Sequence, residues 1–373
     1  MYNITCYITI IIKYASIHPM HITKLNLTTF RNIASTSIKI DDAKVIAVVG
    51  ENGAGKTNML EAISMLSPGN GLHKAKRDLQ IQNGLESWGI HAHISNPKPH
   101  TVGMAFEKSN GKRQIKIDNE KAELQSDLSG IGSILWFTPR MDRLFLDNAQ
   151  ARREFFDRLV FSLYPEHAKN LTRYRHHLKN RLKLLKTNAN NNWLEIEEEQ
   201  ATEFAIKIIE NRSVFLEKLQ QHLPEVELML TGSAHKILEE DKPYDEFLKH
   251  LVQNRERDKL YGSSNFGPHR TDITGTIIQE NILLNQTSTG QHKKAILYIL
   301  LANARLNYNE TGITPLILLD EITAHLDETV KATLFKELNN MGTQIWMTGT
   351  EESLFNGLNP DIFIHVNNGN FST

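Results

Sequence analysis

Residues 48 to 63 read VVGENGAGKTNMLEAI. Gly50 and Gly55 bracket four residues, and Lys56 and Thr57 follow directly. That is the G-x-x-x-x-G-K-T spacing of a P-loop. From Gly50 through Glu51, Asn52, Gly53 and Ala54 to Gly55 the backbone N–H groups can turn inward around phosphate oxygens, since glycine removes the Cβ that would block the approach. Lys56 would reach the β- and γ-phosphates, and the Thr57 hydroxyl would sit on Mg²⁺. ATP and Mg²⁺ are therefore the expected ligands.

A second pair of groups stands far along the chain. TPLILLDEITAHLDE (314–328) is an apolar run that ends in two acids. As a buried strand from Leu316 to Leu319 it would deliver Asp320 to its C-terminal end, where α/β sheets place ligands. Asp320 would hold Mg²⁺, and Glu321 would orient and deprotonate the attacking water. Alone, the segment reads equally well as a core strand followed by two solvated acids. With a P-loop about 260 residues upstream, the catalytic reading is favoured. A third stretch, STGQHKKAILYILLANARL (288–306), puts Ser288, Gly290 and Gln291 at the start of an apolar helix. A serine hydroxyl and free amides at a helix N-terminus make another anion site.

These groups need a strand before the loop and a helix after it. VIAVV (45–49) reads as a buried strand, and NMLEAISML (58–66) has helical spacing. Asp320 requires a parallel neighbour in the same sheet. The chain of 373 residues is long enough for two or three lobes, and 40% apolar with 23% charged residues is ordinary for a soluble globular protein. The single cysteine, Cys6, excludes a disulfide framework and any cysteine-based zinc site. His91 and His93 form an H-x-H pair without a third ligand nearby and read as a surface pair. A net charge of −1 gives no global pull on polyanions, so any nucleic-acid contact must be local. No apolar run approaches the ~20 residues of a membrane span, and a cytoplasmic protein is expected. ITIII (8–12) is too short for a span, and MHITKLNLTTFRNI from Met20 reads as the natural lead into a first strand. Residues 1–19 are expected to be an extension outside the fold.

The order of P-loop, S-x-G-Q, acidic strand and AHLD (324–327) resembles an ABC-type ATPase head. The long insertion between the two half-sites fits that layout. In such heads the S-x-G-Q segment meets the γ-phosphate held by a second protomer, in a head-to-tail symmetric pair, and Asp327 belongs to the D-loop along that interface. Transporter motors carry a histidine after the strand that follows the acidic pair. Here QIWMT (344–348) leads into GTEESLF with none. Chromosome-associated heads lack that histidine too, but the large ones insert long heptad coiled coils. This chain has about 230 residues between its half-sites and no sustained heptads.

From Met20 to about Phe355 the sequence resembles the RecF family. The resemblance rests on KLNLTTFRNI (24–33), GENGAGKTNMLEAISMLSPGNGL (50–72), ILWFTPRMDRLFLDNAQARREFFDRLV (134–160), GPHRTDI (267–273) and WMTGTEESLF (346–355). It implies an α/β, ABC-type P-loop ATPase head of the SMC-like kind with an inserted helical lobe or arm. The expected parts are an ATPase lobe over 20–140, a helical lobe over 141–265 and the rest of the ATPase lobe over 266–373. The resemblance further implies Arg31 on the nucleotide phosphates, slow ATP hydrolysis, an ATP-dependent homodimer on gapped or junction DNA, and RecR and RecO as partners in RecA loading. His292 stands where a small set of polar residues is commoner.

Residues 140–186 hold twelve Lys and Arg against five acids, a net of +7. LTRYRHHLKNRLKLLK (171–186) places Leu171, Leu178, Leu182 and Leu185 at helical spacing, with charges largely on the other faces. Arg173, Lys179 and Lys183 are the candidate DNA-backbone contacts. The same stretch reads equally as a solvated helix whose basic stems cover apolar surface. NANNN (188–192) reads as a turn, and 193–223 as a return helix. The rival readings are a chromosome-type head serving as an interaction module, and a transporter motor. Stimulation of ATP hydrolysis by DNA separates the first reading from both.

Overall fold

The computed structural model describes residues 20–69, 71–73, 75–96, 98–187, 191–322, 328–340 and 342–373. HITKLNLTTF forms β1 (His21–Phe30), which buries Ile22, Leu25, Leu27 and Phe30. Ile22 and Leu25 share a face although three apart, because the pairing register shifts between Ile22 and Lys24 and resets the alternation. β2 (Ile33–Lys39) returns antiparallel, and β3 (Val45–Val49) follows with all five residues buried. After β3 comes the glycine loop and helix α1 (Lys56–Ser64). β4 (Ser87–Asn96), β5 (Lys98–Glu107), β6 (Arg113–Ile117) and β7 (Glu120–Lys121) extend the first sheet, in the order β2-β1-β4-β5-β6-β7. β8 (Ile134–Phe137) is again wholly buried.

The described chain up to Pro139, together with Ala304–Thr373, makes one compact unit, and Arg140–Asn303 makes a second. The second unit contains α2 (Ala149–Leu163), α3 (Glu166–Thr187) and α4 (Asn191–Gln220). β9 (Val226–Thr231), α5 (Pro243–Gln253), α6 (Arg255–Tyr261), β10 (Asp272–Ile277) and β11 (Ile282–Leu283) follow. The strands pair as β11-β10-β9. Its core joins Tyr174 and Leu178 of α3 to Phe204, Ala205 and Ile208 of α4 and to Phe247 and Leu251 of α5. GPHR (267–270) and the S-x-G-Q segment both fall in this unit, so it runs beyond the expected limit at 265. The division from the first unit lies within α7 (Thr289–Thr311).

Beyond α7 the chain re-enters the first unit. β12 (Leu316–Leu319), α8 (Glu328–Asn340), β13 (Ile345–Gly349), β14 (Ile362–Asn367) and β15 (Asn370–Ser372) complete the second sheet. Its order is β15-β14-β3-β13-β12-β8, parallel except at β15. β3, β8, β12 and β13 are buried at every position, which is why β3, β8 and β12 read as unbroken apolar runs and β13 departs from one only at Thr348 and Gly349. Helix α1 touches β1 of the first sheet and β8 and β13 of the second, so it lies between them. Among the described residues no helix is long and apolar enough to cross a membrane.

The basic tally of the second unit changes meaning here. Arg181 is fully buried and donates to Glu198 Oε1 (2.9 Å), Asp258 Oδ2 (2.6 Å) and the Leu251 carbonyl (2.6 Å). Arg255 closes the cluster on Glu198 at 2.6 Å. Arg212 grips Asp157 through Nε (2.8 Å) and Nη2 (2.9 Å), and His167 meets the same carboxylate at 3.0 Å. Arg152 is committed to Asp272 at 2.7 Å. These arginines tie helices to one another and, through Arg152, to β10, and are withdrawn from the surface charge. Arg181→Met leaves Glu198 and Asp258 buried without their shared partner. It is expected to cost about 3–5 kcal/mol, read as a lower midpoint in urea unfolding; an unchanged midpoint would deny the cluster its structural part.

Candidate nucleotide site

Three parallel strands end at one edge of the second sheet: β3 in Gly50, β12 in Asp320, and β13 in Thr348 and Gly349. The Gly50 amide donates to the Gly349 carbonyl at 3.3 Å, closing the strand ends together. Gly50 has φ +156°, and a Cβ there would lie 2.3 Å from the Val366 carbonyl oxygen. Gly55 has φ +119°, and its Cβ would lie 2.8 Å from the Asn32 side chain. At both positions a larger residue would have to push the loop off its supports.

Lys56 is buried, and its Nζ donates to the Gly50 carbonyl (2.7 Å) and the Glu51 carbonyl (2.8 Å). Thr57 Oγ1 donates to the Asp320 carboxylate, 2.9 Å from Oδ1 and 3.2 Å from Oδ2. Thr348 Oγ1 donates to Asp320 Oδ1 at 2.8 Å and accepts the Glu321 amide at 2.9 Å. Thr348 thus fixes both acids from the neighbouring strand. Glu321 is exposed and has φ +49°, a left-handed conformation that costs a non-glycine residue about 1–2 kcal/mol. That conformation turns the chain sharply after Asp320.

Burial lowers the Lys56 pKa, opposed by the charges of Glu321 and Asp320. Burial raises the Asp320 pKa; the Thr348 and Thr57 hydroxyls pull it back, and Glu321 pushes it up. Lys56 Nζ meets carbonyl oxygens and the Asp320 carboxylate meets hydroxyls, and a nucleotide polyphosphate with its metal could take the place of these neutral partners. A hydroxyl and a carboxylate side by side are the hard oxygen donors that Mg²⁺ takes. Among the described residues no cluster of three or more His, Cys, Asp or Glu could hold a metal alone.

Other residues hold the loop that the motif alone did not name. Asn32 Nδ2 donates to the Ala54 carbonyl at 3.0 Å, and Asn58 Nδ2 donates to Asn32 Oδ1 at 2.8 Å. The Gly369 amide donates to the Ala54 carbonyl at 2.8 Å. Arg31, expected on the phosphates, forms a two-pronged pair with the fully buried Glu61 of α1, at 2.9 Å through both Nε and Nη2. Gln80 also donates to Glu61, at 3.1 Å. In this structure Arg31 therefore braces α1. The signal for Asn32 was present in the F-R-N turn; for Thr348 and Glu61 there was none without the fold.

Within the second unit, Ser288 caps α7. Its amide donates to Gln291 Oε1 (2.9 Å) and its hydroxyl accepts the Gln291 amide (3.4 Å), the reciprocal pattern of a capping box. Ser288 and Gly290 are exposed at this helix start. His292 is fully buried, and its Nε2 accepts the Phe145 amide at 3.1 Å. Burial lowers its pKa, which suits a neutral ring acting as an acceptor and explains a histidine at that position. Asp327 lies outside the described residues. Tyr174 donates its hydroxyl to His269 Nδ1 at 2.7 Å, and His269 Nε2 donates to the Ser264 carbonyl at 2.9 Å. Burial pushes His269 down to about 4. GPHR is thus a packing node against α3.

On α3, Arg173, Lys179 and Lys183 are all exposed. The helical repeat sets Arg175, Lys179, Lys183 and Lys186 along one exposed ridge, which adds two residues to those singled out from the sequence. Arg173 lies apart from that ridge, its guanidinium 5.5 Å over the Phe204 ring of α4.

A model of the AAA ATPase domain matches residues 20–198. The DNA replication and repair protein RecF of Mesorhizobium japonicum is 34% identical over 355 residues, covering 91% of this chain and 93% of that one. Among solved structures, the recombination mediator protein RecF with ATPrS, of the RecFOR pathway, matches with a TM-score of 0.84 at 25% identity, over 96% of this chain and 99% of that one. An SMC head bound to the C-winged helix domain of ScpA matches in fold, with a TM-score of 0.52 at 16% identity over 94% and 97% of the two chains. The expected class, an α/β ATPase head of the SMC-like kind with an inserted helical lobe, is the one these matches give.

Proposed function

Because the chain belongs to the RecF family of DNA replication and repair proteins and carries its ATP-binding fold, we propose that ATP and Mg²⁺ close it into a head-to-tail homodimer over DNA, and that slow hydrolysis reopens it. The observation that carries this reading is the joining of Thr57, Asp320 and Thr348 by hydrogen bonds of 2.8 and 2.9 Å, with Lys56 held 2.7 Å from the Gly50 carbonyl beside them. Lys56 exchanges its two carbonyl partners for β- and γ-phosphate oxygens. Thr57 and Asp320 would hold Mg²⁺, which supplies charge neutralisation on the phosphates when bound. Glu321 accepts the proton of the attacking water, and Thr348 keeps that carboxylate in place through its backbone. Ser288, Gly290, Gln291 and Asp327 of a second copy complete the site around the γ-phosphate.

The product of the cycle is a timed clamp. The protein works in the cytoplasm on gaps and single-strand/double-strand junctions, with RecR and RecO in loading RecA, and through that in the SOS response. The exposed basic groups of α3 contact the DNA backbone. Footprinting on gapped duplex with ATP, with ADP and without nucleotide tests the reading; protection that is the same in all three overturns it.

Ser288→Arg places a bulky cation where the partner's γ-phosphate would dock. ATP binding by the monomer is expected to persist, and ATP-dependent dimers are expected to vanish from sedimentation velocity profiles. Normal dimers would end the trans-site argument. Replacing Arg173, Lys179 and Lys183 together with Gln is expected to weaken DNA binding. The log–log salt slope on duplex is expected to fall by about 0.9 for each phosphate that is no longer neutralised. Glutamine keeps helix propensity, so the melting temperature holds. A fall in affinity with no change of slope would place the DNA track elsewhere.

A further inference from the structure

The first sheet has an outward face whose composition the nucleotide cycle does not use. The register aligns its residues in rows across the strands. One row runs Lys39, Lys24, His93, Thr101 over β2, β1, β4 and β5. The next runs Ser37, Asn26, His91, Gly103, Lys116, Lys121 over all six strands. A third runs Ser35, Thr28, Gly89, Ala105, Gln114. Ser37 Oγ donates to Asn26 Oδ1 at 2.7 Å, and Asn26 meets His91 Nδ1 at 3.4 Å, so the middle row is joined through its side chains.

Within these three rows there is no Asp or Glu. Acids stand at the borders: Asp41 against Lys39 at 3.2 Å, Asp118 against His100 at 2.8 Å, Glu107 opposite Ser87 at the end of β5, and Glu120 next to Lys121 on the edge strand β7. Lys24 directly opposes Lys39, and Lys116 directly opposes Lys121. Like charges set opposite one another destabilise a sheet, and here this occurs twice on one face. The His91 pKa is held down by partial desolvation, then by His93 and by Lys24. The face carries four lysines as two opposed pairs with no acid inside the rows, and an external polyanion would relieve their repulsion.

The shape narrows the choice of polyanion. Gly89, Gly103, Ala105 and the serines leave the rows low and open. The rows hold no Phe, Tyr or Trp as a platform for base stacking, on which single-strand binding leans. The six strands span roughly 24 Å at about 4.8 Å per strand, and duplex DNA carries a charge every ~1.7 Å along its axis. We infer that this face is a phosphate-contact surface for duplex nucleic acid, additional to the basic ridge of α3, with Lys24, Lys39, Lys116 and Lys121 as its principal contacts. The inference rests on the reading of the protein as a DNA-binding ATPase.

The test is the full-length protein with Lys24, Lys39, Lys116 and Lys121 replaced by Gln, titrated with a plain duplex and with oligo(dT) in ATP and Mg²⁺ over a salt series. Duplex affinity is expected to fall about tenfold or more at low salt, and the salt slope to fall by about 0.9 per lysine that touches a phosphate. The melting temperature is expected to hold or rise, since two opposed like-charge pairs are removed; a purely structural role would lower it. In the unsubstituted protein, bound duplex is expected to shield these lysines from acetylation, read by mass spectrometry. Unchanged duplex affinity and slope in the variant, or a slope change confined to oligo(dT), would overturn the inference and leave the clamp reading standing. Wild-type protein that binds polyglutamate as tightly as duplex at the same salt would make this a site for acidic protein and overturn it too. Wild-type protein that binds no duplex at all would remove both.

Discussion

Lys56→Ala is expected to lower ATP affinity by roughly 10²–10⁴-fold. Lys56 Nζ now directs its charge at the carbonyls of Gly50 and Glu51, at 2.7 and 2.8 Å. Bound nucleotide offers anionic oxygens instead, and hydrogen bonds to charged groups are worth about 1.5–3 kcal/mol each. Two such bonds make about 3–6 kcal/mol, which sets the expected range. Alanine also removes the buried cation from the loop. Calorimetric titration reads the loss, and a melting curve in the absence of nucleotide checks that the loop's support by Asn32 and Gly369 survives. ATP affinity equal to the wild type would remove the P-loop assignment altogether.

The second large effect is on turnover. Glu321→Gln is expected to cut ATP hydrolysis by about 10²–10⁴-fold, the usual share of a positioned general base, while leaving ATP binding and dimer formation intact. The local geometry favours a clean result. Glu321 is fixed by its backbone, through the amide bond of 2.9 Å to Thr348 Oγ1 and the left-handed turn at φ +49°. Glutamine can keep both, and its amide cannot take a proton. Dimers that persist in ATP, with phosphate release nearly abolished, are the expected pair of observations. Wild-type turnover in this variant would transfer the base to another residue.

The sequence carried the chemistry wherever the chemistry is local. Gly50 to Thr57 are contiguous, and their loop geometry follows from residue types alone. β3 coincides with the expected 45–49, because a strand buried on both faces is written as an unbroken apolar run. α1 begins at Lys56, against an expected start at about Thr57, since the loop itself runs into the first helical turn. Residues that act through distant partners were not legible in this way. Thr348 is an ordinary strand threonine until β13 lies beside β12. Glu61 is an ordinary helix acid until Arg31 reaches it from 30 positions away. The charge count over 140–186 was correct as arithmetic and misleading as a surface. Arg181 finds its partners 17 and 77 positions away, and nothing in a basic stretch announces which of its members will be buried. The same fold also added to the surface, lining up Arg175 and Lys186 with Lys179 and Lys183.

The glycine loop is written early in the chain and held by a hairpin encoded far downstream. Gly50 packs under the Val366 carbonyl, and the Gly369 amide bonds to the Ala54 carbonyl at 2.8 Å. Asp320 and Thr348, which face Thr57, also come late. A ribosome that has made the P-loop has therefore not yet made a nucleotide site. Through the synthesis of the whole inserted unit the loop has its support from Asn32 but not that of the β14–β15 hairpin, which completes its seat when it emerges. Fragments from a stop ahead of that hairpin would carry the motif and lack part of its seat.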